Sequence, residues 1–179
     1  MTTCLYTIGH STRSLEDFVG LLAPFGVEVL ADVRSVPHSA HNPQFDLAAL
    51  QRSLPERGIR YLHLSELGGF RQSKPASVNC GWRNERFRGY ADYMQTSEFR
   101  DALNRLIVLA RASRTAIMCA EAVPWRCHRS LIGDALLVRG VDVVDIIAAG
   151  SVKQHRLTPF ATVKGTDVRY PAPGEEPAR

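Results

Sequence analysis

Two thiols, a carboxylate, an imidazole and two guanidinium groups fall within one short stretch: Cys119, Glu121, Arg126, Cys127, His128 and Arg129. An apolar run (Ala116, Ile117, Met118) enters this stretch, and an amphipathic run (Leu131, Ile132, Ala135, Leu136, Val138) leaves it. It therefore reads as strand, loop and helix start. The free N–H groups and macrodipole of a helix N-terminus favour anions. A cysteine placed there has a lowered pKa, and adjacent His128 and Arg129 add to that effect. Cys127-His128-Arg129 thus reads as an anion cradle or a reactive thiolate. The competing reading is an inert cysteine beside an arginine that pairs with a carboxylate such as Asp134. Cys119, where a buried strand would end, reads alone as a structural thiol. Glu121 two positions on must be solvated, paired with Arg34 or Arg129, or used as a general base.

Further groups fall just past other apolar runs. His10 and Ser11 follow the first, Asp32 and Arg34 the second, and His63 closes the third. Asp32 and Arg34, two apart, share one side of an extended segment and can act together, as a binding pair or as a loop-anchoring salt bridge. His10 and His63 are acid/base or substrate-binding candidates. His38 and His41 read as solvated, and His155 is uninformative. Zinc is the alternative use of the cluster, with Cys119, Glu121, Cys127 and His128 joined by His10 or His63. The spacing matches neither a C-x-x-C nor an H-E-x-x-H pattern, so the sequence assigns no metal ligand and requires no cofactor.

The elements that must hold these groups alternate. Strands are expected at residues 5–8, 27–33, 59–64, 115–119 and 141–147. Ser14, with Asp17 three residues on, predicts a capped helix bearing Leu15, Phe18, Val19 and Leu22. Asp46 is expected to cap a helix with Leu47 and Leu50, and Ser97 one with Phe99, Leu103, Leu106, Ile107 and Ala110. Residues 65–89 have little periodicity and read as a long loop, with a helical turn at 90–94. A further short strand is expected at 161–163. The resulting fold class is α/β: a single domain with a mainly parallel sheet of about five strands and helices on both faces, Rossmann-like. The domain is placed at residues 1–150, with 151–179 a C-terminal extension packed on it or trailing from it. In such sheets ligands bind beyond the carboxyl ends of the strands, where these polar residues fall.

The 179 residues, 45% hydrophobic and 22% charged, suit a globular chain with one core. No stretch is apolar enough to span a bilayer, and none resembles a basic leader. The expectation is a cytoplasmic protein with no membrane partner; nothing specifies an oligomeric state. Four cysteines are too few and scattered for a disulfide scaffold; Cys119 and Cys127 read as reduced thiols with a local role or as a redox pair. The net charge of +4 is local: residues 71–88 hold five basic residues (Arg71, Lys74, Arg83, Arg86, Arg88) against Glu85. Interleaved with Trp82 and Phe87, this segment reads as a nucleic-acid contact through Arg71, Arg83, Arg86, Arg88 and Trp82, or as a solvated basic flap.

Gly9-His10-Ser11, Asp32-Val33-Arg34 with Pro37 and Ser39, Leu67-Gly68-Gly69, Cys119-Ala120-Glu121 with Pro124, and Cys127-His128-Arg129 together resemble the bacterial and archaeal family catalogued as domain of unknown function 488. The resemblance runs from about Tyr6 to Ile147 and implies a compact α/β domain with no assigned reaction. A weaker, fold-level similarity is to rhodanese-like and cysteine-phosphatase domains, which share the Asp-x-Arg and a strand–cysteine–loop–arginine–helix cradle. The chain departs from that cradle: Cys119 and Arg129 stand ten positions apart, the loop lacks glycine, and Glu121 would repel a phosphate.

The reading these residues support is an enzyme acting on a phosphorylated substrate, a nucleotide or nucleic acid. Cys119, Glu121, Cys127 and His10 are its catalytic candidates. Arg34, Asp32, His63, His128, Arg129 and Ser11 are its substrate-binding candidates. The alternatives are a non-enzymatic nucleic-acid-binding module and a metal-supported structural or regulatory domain.

Overall fold

The computed structural model describes residues 2–174. In chain order it contains β1 (Thr3–Gly9), α1 (Leu15–Leu22), β2 (Val29–Asp32), α2 (Leu47–Ser53), β3 (Arg60–His63), α3 (Glu85–Tyr93), α4 (Ser97–Ala112), β4 (Thr115–Cys119), α5 (Arg129–Leu137), β5 (Val141–Ala148), β6 (Ser151–Gln154), β7 (Thr162–Lys164) and β8 (Asp167–Arg169). One six-stranded sheet has the order β3-β2-β4-β1-β5-β6. Its first five strands are parallel, and β6 runs antiparallel to β5. The chain is a mixed α/β, Rossmann-like domain. None of its helices among the described residues is long and apolar enough to cross a membrane.

The period-two pattern of the strands sorts the core into two layers. Ile8, Leu30, Ala116, Met118 and Ile146 face Phe18 and Leu22 of α1 and Leu50 of α2. Leu5, Ala31, Ile117, Cys119 and Val143 face the opposite layer, built from α3, α4 and α5. Every residue of β2 and β4 is buried, which is why those strands read as unbroken apolar runs.

Several expectations need correction. All five expected strands are present, and the sheet adds a sixth, β6, exposed at all four positions and so without a period-two burial pattern. Thr96, not Ser97, caps α4, its hydroxyl accepting from the Phe99 N–H. Asp46 is the N-cap of α2, but its side chain caps no helix N–H; its carboxylate accepts from the Ser39 N–H and contacts His38 Nδ1. Residues 65–89 are not one open loop. They begin with a 3₁₀ turn at Ser65–Leu67 and end inside α3. Between these, Asp92 gathers the Lys74 N–H, the Ser77 hydroxyl and the Asn79 amide. His155, uninformative in the sequence, is held between Asp134 and Asp145 with 7% of its side chain exposed. Past Ser151 the chain adds β6, the β7–β8 hairpin and Tyr170, whose buried hydroxyl donates to Asp134.

Candidate active site

The register of β1 on β4 assembles the site. Gly9 pairs with Cys119, and the ladder continues past both strands as His10 N–H donates to Cys119 O (2.9 Å) and Ser11 N–H to Ala120 O (3.0 Å). This approach requires glycine at position 9, where a Cβ would overlap the Glu121 carbonyl oxygen. Ser11 then turns the chain away with φ at 49°, in the left-handed region that a non-glycine residue adopts only under constraint. From β1 the chain crosses toward β2, and from β4 it crosses in the opposite direction toward β5. The carboxyl ends of β1 and β4 therefore flank a topological switch point, where open α/β sheets form a crevice.

At the foot of that crevice the Cys119 and Cys127 Sγ atoms lie 2.8 Å apart. Arg129, fully buried, bridges them: its Nε is 3.0 Å from Cys119 Sγ and 3.3 Å from Cys127 Sγ. The rest of its fork donates to Glu121 O (2.6 Å) and Thr7 Oγ1 (3.4 Å). Cys127 Sγ also accepts the Arg129 backbone N–H at the start of α5 (3.3 Å) and lies 3.9 Å from His128 Nδ1. Burial opposes a thiolate at Cys127, but the Cys119 thiol, Arg129 and His128 outweigh it and hold the Cys127 pKa well below the usual thiol value. Burial, then the neighbouring Cys127, push Cys119 well above it. The pair therefore gives up one proton readily and keeps the second.

The adjoining wall is a closed set of polar contacts. Asp32 receives Arg34 through Nε and NH2, together with the Tyr61 hydroxyl. Arg34 NH2 also donates to Phe45 O, and its NH1 lies 3.3 Å from His10 Nε2. His10, stacked on Phe45, donates from Nδ1 to Ser11 O, a tautomer that leaves Nε2 to accept from Arg34. Burial, with the Arg34 charge adding to it, lowers the His10 pKa and favours that neutral ring. His128 Nε2 donates to Val33 O, and its Nδ1 side lies 3.9 Å from Cys127 Sγ. His63 donates to Arg34 O.

These walls enclose a cavity of about 400 Å³. Cys119, Cys127, His128, His10 and Arg34 form its base, and Arg86, Arg126, Glu121, Phe70 and Phe87 are among its other lining residues. Among the described residues neither the Arg86 nor the Arg126 guanidinium has a partner, and nor has the Glu121 carboxylate. The fold thus brings together most of the residues singled out in sequence. His63, Ser11, Asp32 and Arg129 stand behind the cavity surface rather than on it.

The basic segment is divided. Arg71 stacks on Tyr93 (3.7 Å) and donates to Gly68 O and Glu66 O. Arg88 donates to Trp82 O. Trp82 stacks on Phe87 and packs edge-on against Phe160, with Tyr170 also in contact. Lys74, Arg83 and Arg86 remain exposed. For a metal, among the described residues no group of three His, Cys, Asp or Glu side chains is placed to hold an ion. The Arg129 guanidinium lies against both sulfurs (Nε at 3.0 and 3.3 Å), so this donor set does not suit a closed zinc site.

The match to a family model fits this arrangement. Residues 14–136 match the model described as Domain of unknown function DUF488. The chain belongs to the DUF488 family. The matched span contains Asp32, Arg34, Cys119, Cys127 and Arg129, while β1, with Gly9 and His10, precedes it. No curated protein and no solved structure matches the chain. Three groups around the DUF488 site escaped sequence reading. Thr7 and Asp145 are polar residues on the buried phase of otherwise apolar strands, and their hydrogen bond (2.6 Å) adjoins Arg129. That phase was the available signal. Tyr61, which completes the Asp32–Arg34 pair, was masked by its apolar strand.

Proposed function

We propose that the chain is an enzyme that uses the Cys127 thiolate as a nucleophile on a phosphorylated substrate with a flat or apolar body, such as a nucleotide. The observation that carries this reading is the Cys119–Cys127–Arg129 cluster at the foot of an open cavity. A buried guanidinium placed on two sulfurs, with a helix-start N–H on one of them, favours an anionic thiol where a substrate can reach it. Arg86 and Arg126, unpaired in the lining, supply charge for phosphate; Phe70 and Phe87 supply apolar surface. Glu121 is the exposed acid/base group. Asp32 behind Arg34 and His10 beside it in the cavity fix its fork.

The test is protection of Cys127 from iodoacetamide by mononucleotides and pyrophosphate, with dithiothreitol present. A binding compound is expected to slow alkylation of Cys127 without slowing that of exposed Cys80. Arg86→Ala with Arg126→Ala is expected to weaken the protection roughly tenfold or more, the loss typical of charge-assisted contacts. Alkylation of Cys127 that is indifferent to every phosphate tested would overturn the reading.

A further inference from the structure

We infer that Cys119 and Cys127 also form a working dithiol–disulfide couple that reduces small disulfides, Cys127 attacking and Cys119 resolving. This activity rests on the nucleophilic Cys127 proposed above, and not on a phosphorylated substrate. Three observations carry it. The first is proximity. The sulfurs are 2.8 Å apart, and a disulfide needs about 2.05 Å, so the bond forms with a side-chain movement of under about 1 Å. The two residues sit at the end of β4 and beside the first turn of α5, eight positions apart, so the fold and not chain proximity pairs them.

The second observation is asymmetry. The backbone N–H at the start of α5 and His128 Nδ1 both address Cys127, whereas among the described residues Cys119 has only the Glu121 carbonyl at 3.9 Å besides the shared Arg129. Cys127 is thus the attacking sulfur. The third is the placement of Arg129 Nε, within 3.3 Å of both sulfurs. Once Cys127 is tied up in a mixed disulfide, the same N–H is 3.0 Å from Cys119 and can stabilise the thiolate that must form there. The cavity above both sulfurs leaves room for the substrate half that stays attached.

The steps balance. The Cys127 thiolate attacks one sulfur of R–S–S–R, forming a Cys127–S–S–R bond and breaking the substrate S–S bond, and the leaving thiolate takes the Cys119 proton. The Cys119 thiolate then attacks Cys127 Sγ, forming the Cys119–Cys127 disulfide and expelling the second R–S⁻, which is protonated by water. One disulfide becomes two thiols as the protein dithiol loses two electrons, and a small-molecule dithiol restores the pair.

The experiment uses the full chain carrying Cys4→Ser and Cys80→Ser, two cysteines away from the cavity, reduced, desalted and treated with oxidised glutathione. Mass analysis is expected to show loss of two hydrogens with no retained glutathione, and two glutathione thiols released per chain. Adding Cys119→Ser is expected to trap glutathione on Cys127. Adding Cys127→Ser is expected to slow modification roughly tenfold or more, since the thiolate is the attacking species. Thermal melts confirm that each variant is folded; the unsubstituted chain, peptide-mapped after the same treatment, gives the answer if a variant is not. A pair that stays reduced in excess oxidised glutathione, or an adduct trapped on Cys119 in place of Cys127, would overturn the inference. Disulfide exchange without phosphate protection would overturn only the phosphorylated-substrate reading; protection without exchange would overturn only this one.

Discussion

At the scale of single residues, the decisive fact is a fully buried guanidinium with no carboxylate partner among the described residues. Arg129 touches two sulfurs, a hydroxyl and a carbonyl. Burying its charge is costly unless a neighbour supplies the opposite one, so Arg129 and the Cys127 thiolate depend on each other. The two ends of this pair respond differently to removal. In Arg129→Met the sulfurs can take up a proton, so the loss is that of an unsatisfied buried group, about 1–3 kcal/mol. In Cys119→Ala/Cys127→Ala the guanidinium cannot shed its charge, and the loss is nearer the about 3–5 kcal/mol of a broken buried pair. Denaturant unfolding at neutral pH is expected to give that order. Iodoacetamide rates against pH are expected to show the Cys127 midpoint in Arg129→Met moving up toward or beyond the ordinary thiol value. A midpoint that stays put would show that Arg129 does not set the thiolate.

At the scale of elements, His155 clips the C-terminal segment to the sheet. Its Nε2 is 3.0 Å from Asp134 of α5 and its Nδ1 3.1 Å from Asp145 of β5, while the Tyr170 hydroxyl and Thr158 N–H also address Asp134. Burial disfavours the imidazolium, but hydrogen bonds and charge from the two aspartates raise its pKa from 6.5 to about 9. A folded pKa above the unfolded one gives stability that is full below about pH 6.5, declines as pH rises, and is gone above about 9. The shift corresponds to about 3 kcal/mol. The readout is the difference in stability between the unsubstituted chain and His155→Gln: large at pH 6, near zero at pH 9.5. A difference independent of pH would mean that His155 is neutral in the fold. This clip shows where sequence reading stops. Regular elements were legible because burial imposes their period: the apolar stripe of α1 and the unbroken run of β4 each appeared in place. Cys119 and Cys127 were legible because they bracket one turn. His155, Thr7 and Asp145 were not, because their meaning lies in contacts between segments far apart in sequence. β6 was invisible because an exposed edge strand needs no apolar side chains.

At the scale of the whole molecule, strand order and charge act together. The order β3-β2-β4-β1-β5-β6 puts the divergence of the connections at β4 and β1, and this gathers His10, Arg34, Cys119 and Cys127 into one crevice from four separate segments. The same folding disperses the basic segment, which in sequence resembles a single five-cation patch. Arg71 is spent on Tyr93 and main-chain carbonyls and Arg88 on the Trp82 carbonyl, while Trp82 lies against Phe87, Phe160 and Tyr170. Lys74, Arg83 and Arg86 remain exposed on the surface. Counterion release ties the salt dependence of duplex binding to the number of phosphates neutralised, with a log–log slope of about −0.9 for each. If this face binds a duplex, three contacts would weaken binding about fortyfold when salt rises from about 50 to about 200 mM, whereas five would weaken it about five-hundredfold. Fluorescence anisotropy with a labelled duplex at the two salt concentrations separates these outcomes. Arg83→Ala with Arg86→Ala is expected to remove most of the slope. Arg71→Ala is expected to lower thermal stability and leave the slope unchanged, because its guanidinium already serves the fold; a shallower slope in Arg71→Ala would place that residue on the nucleic acid instead.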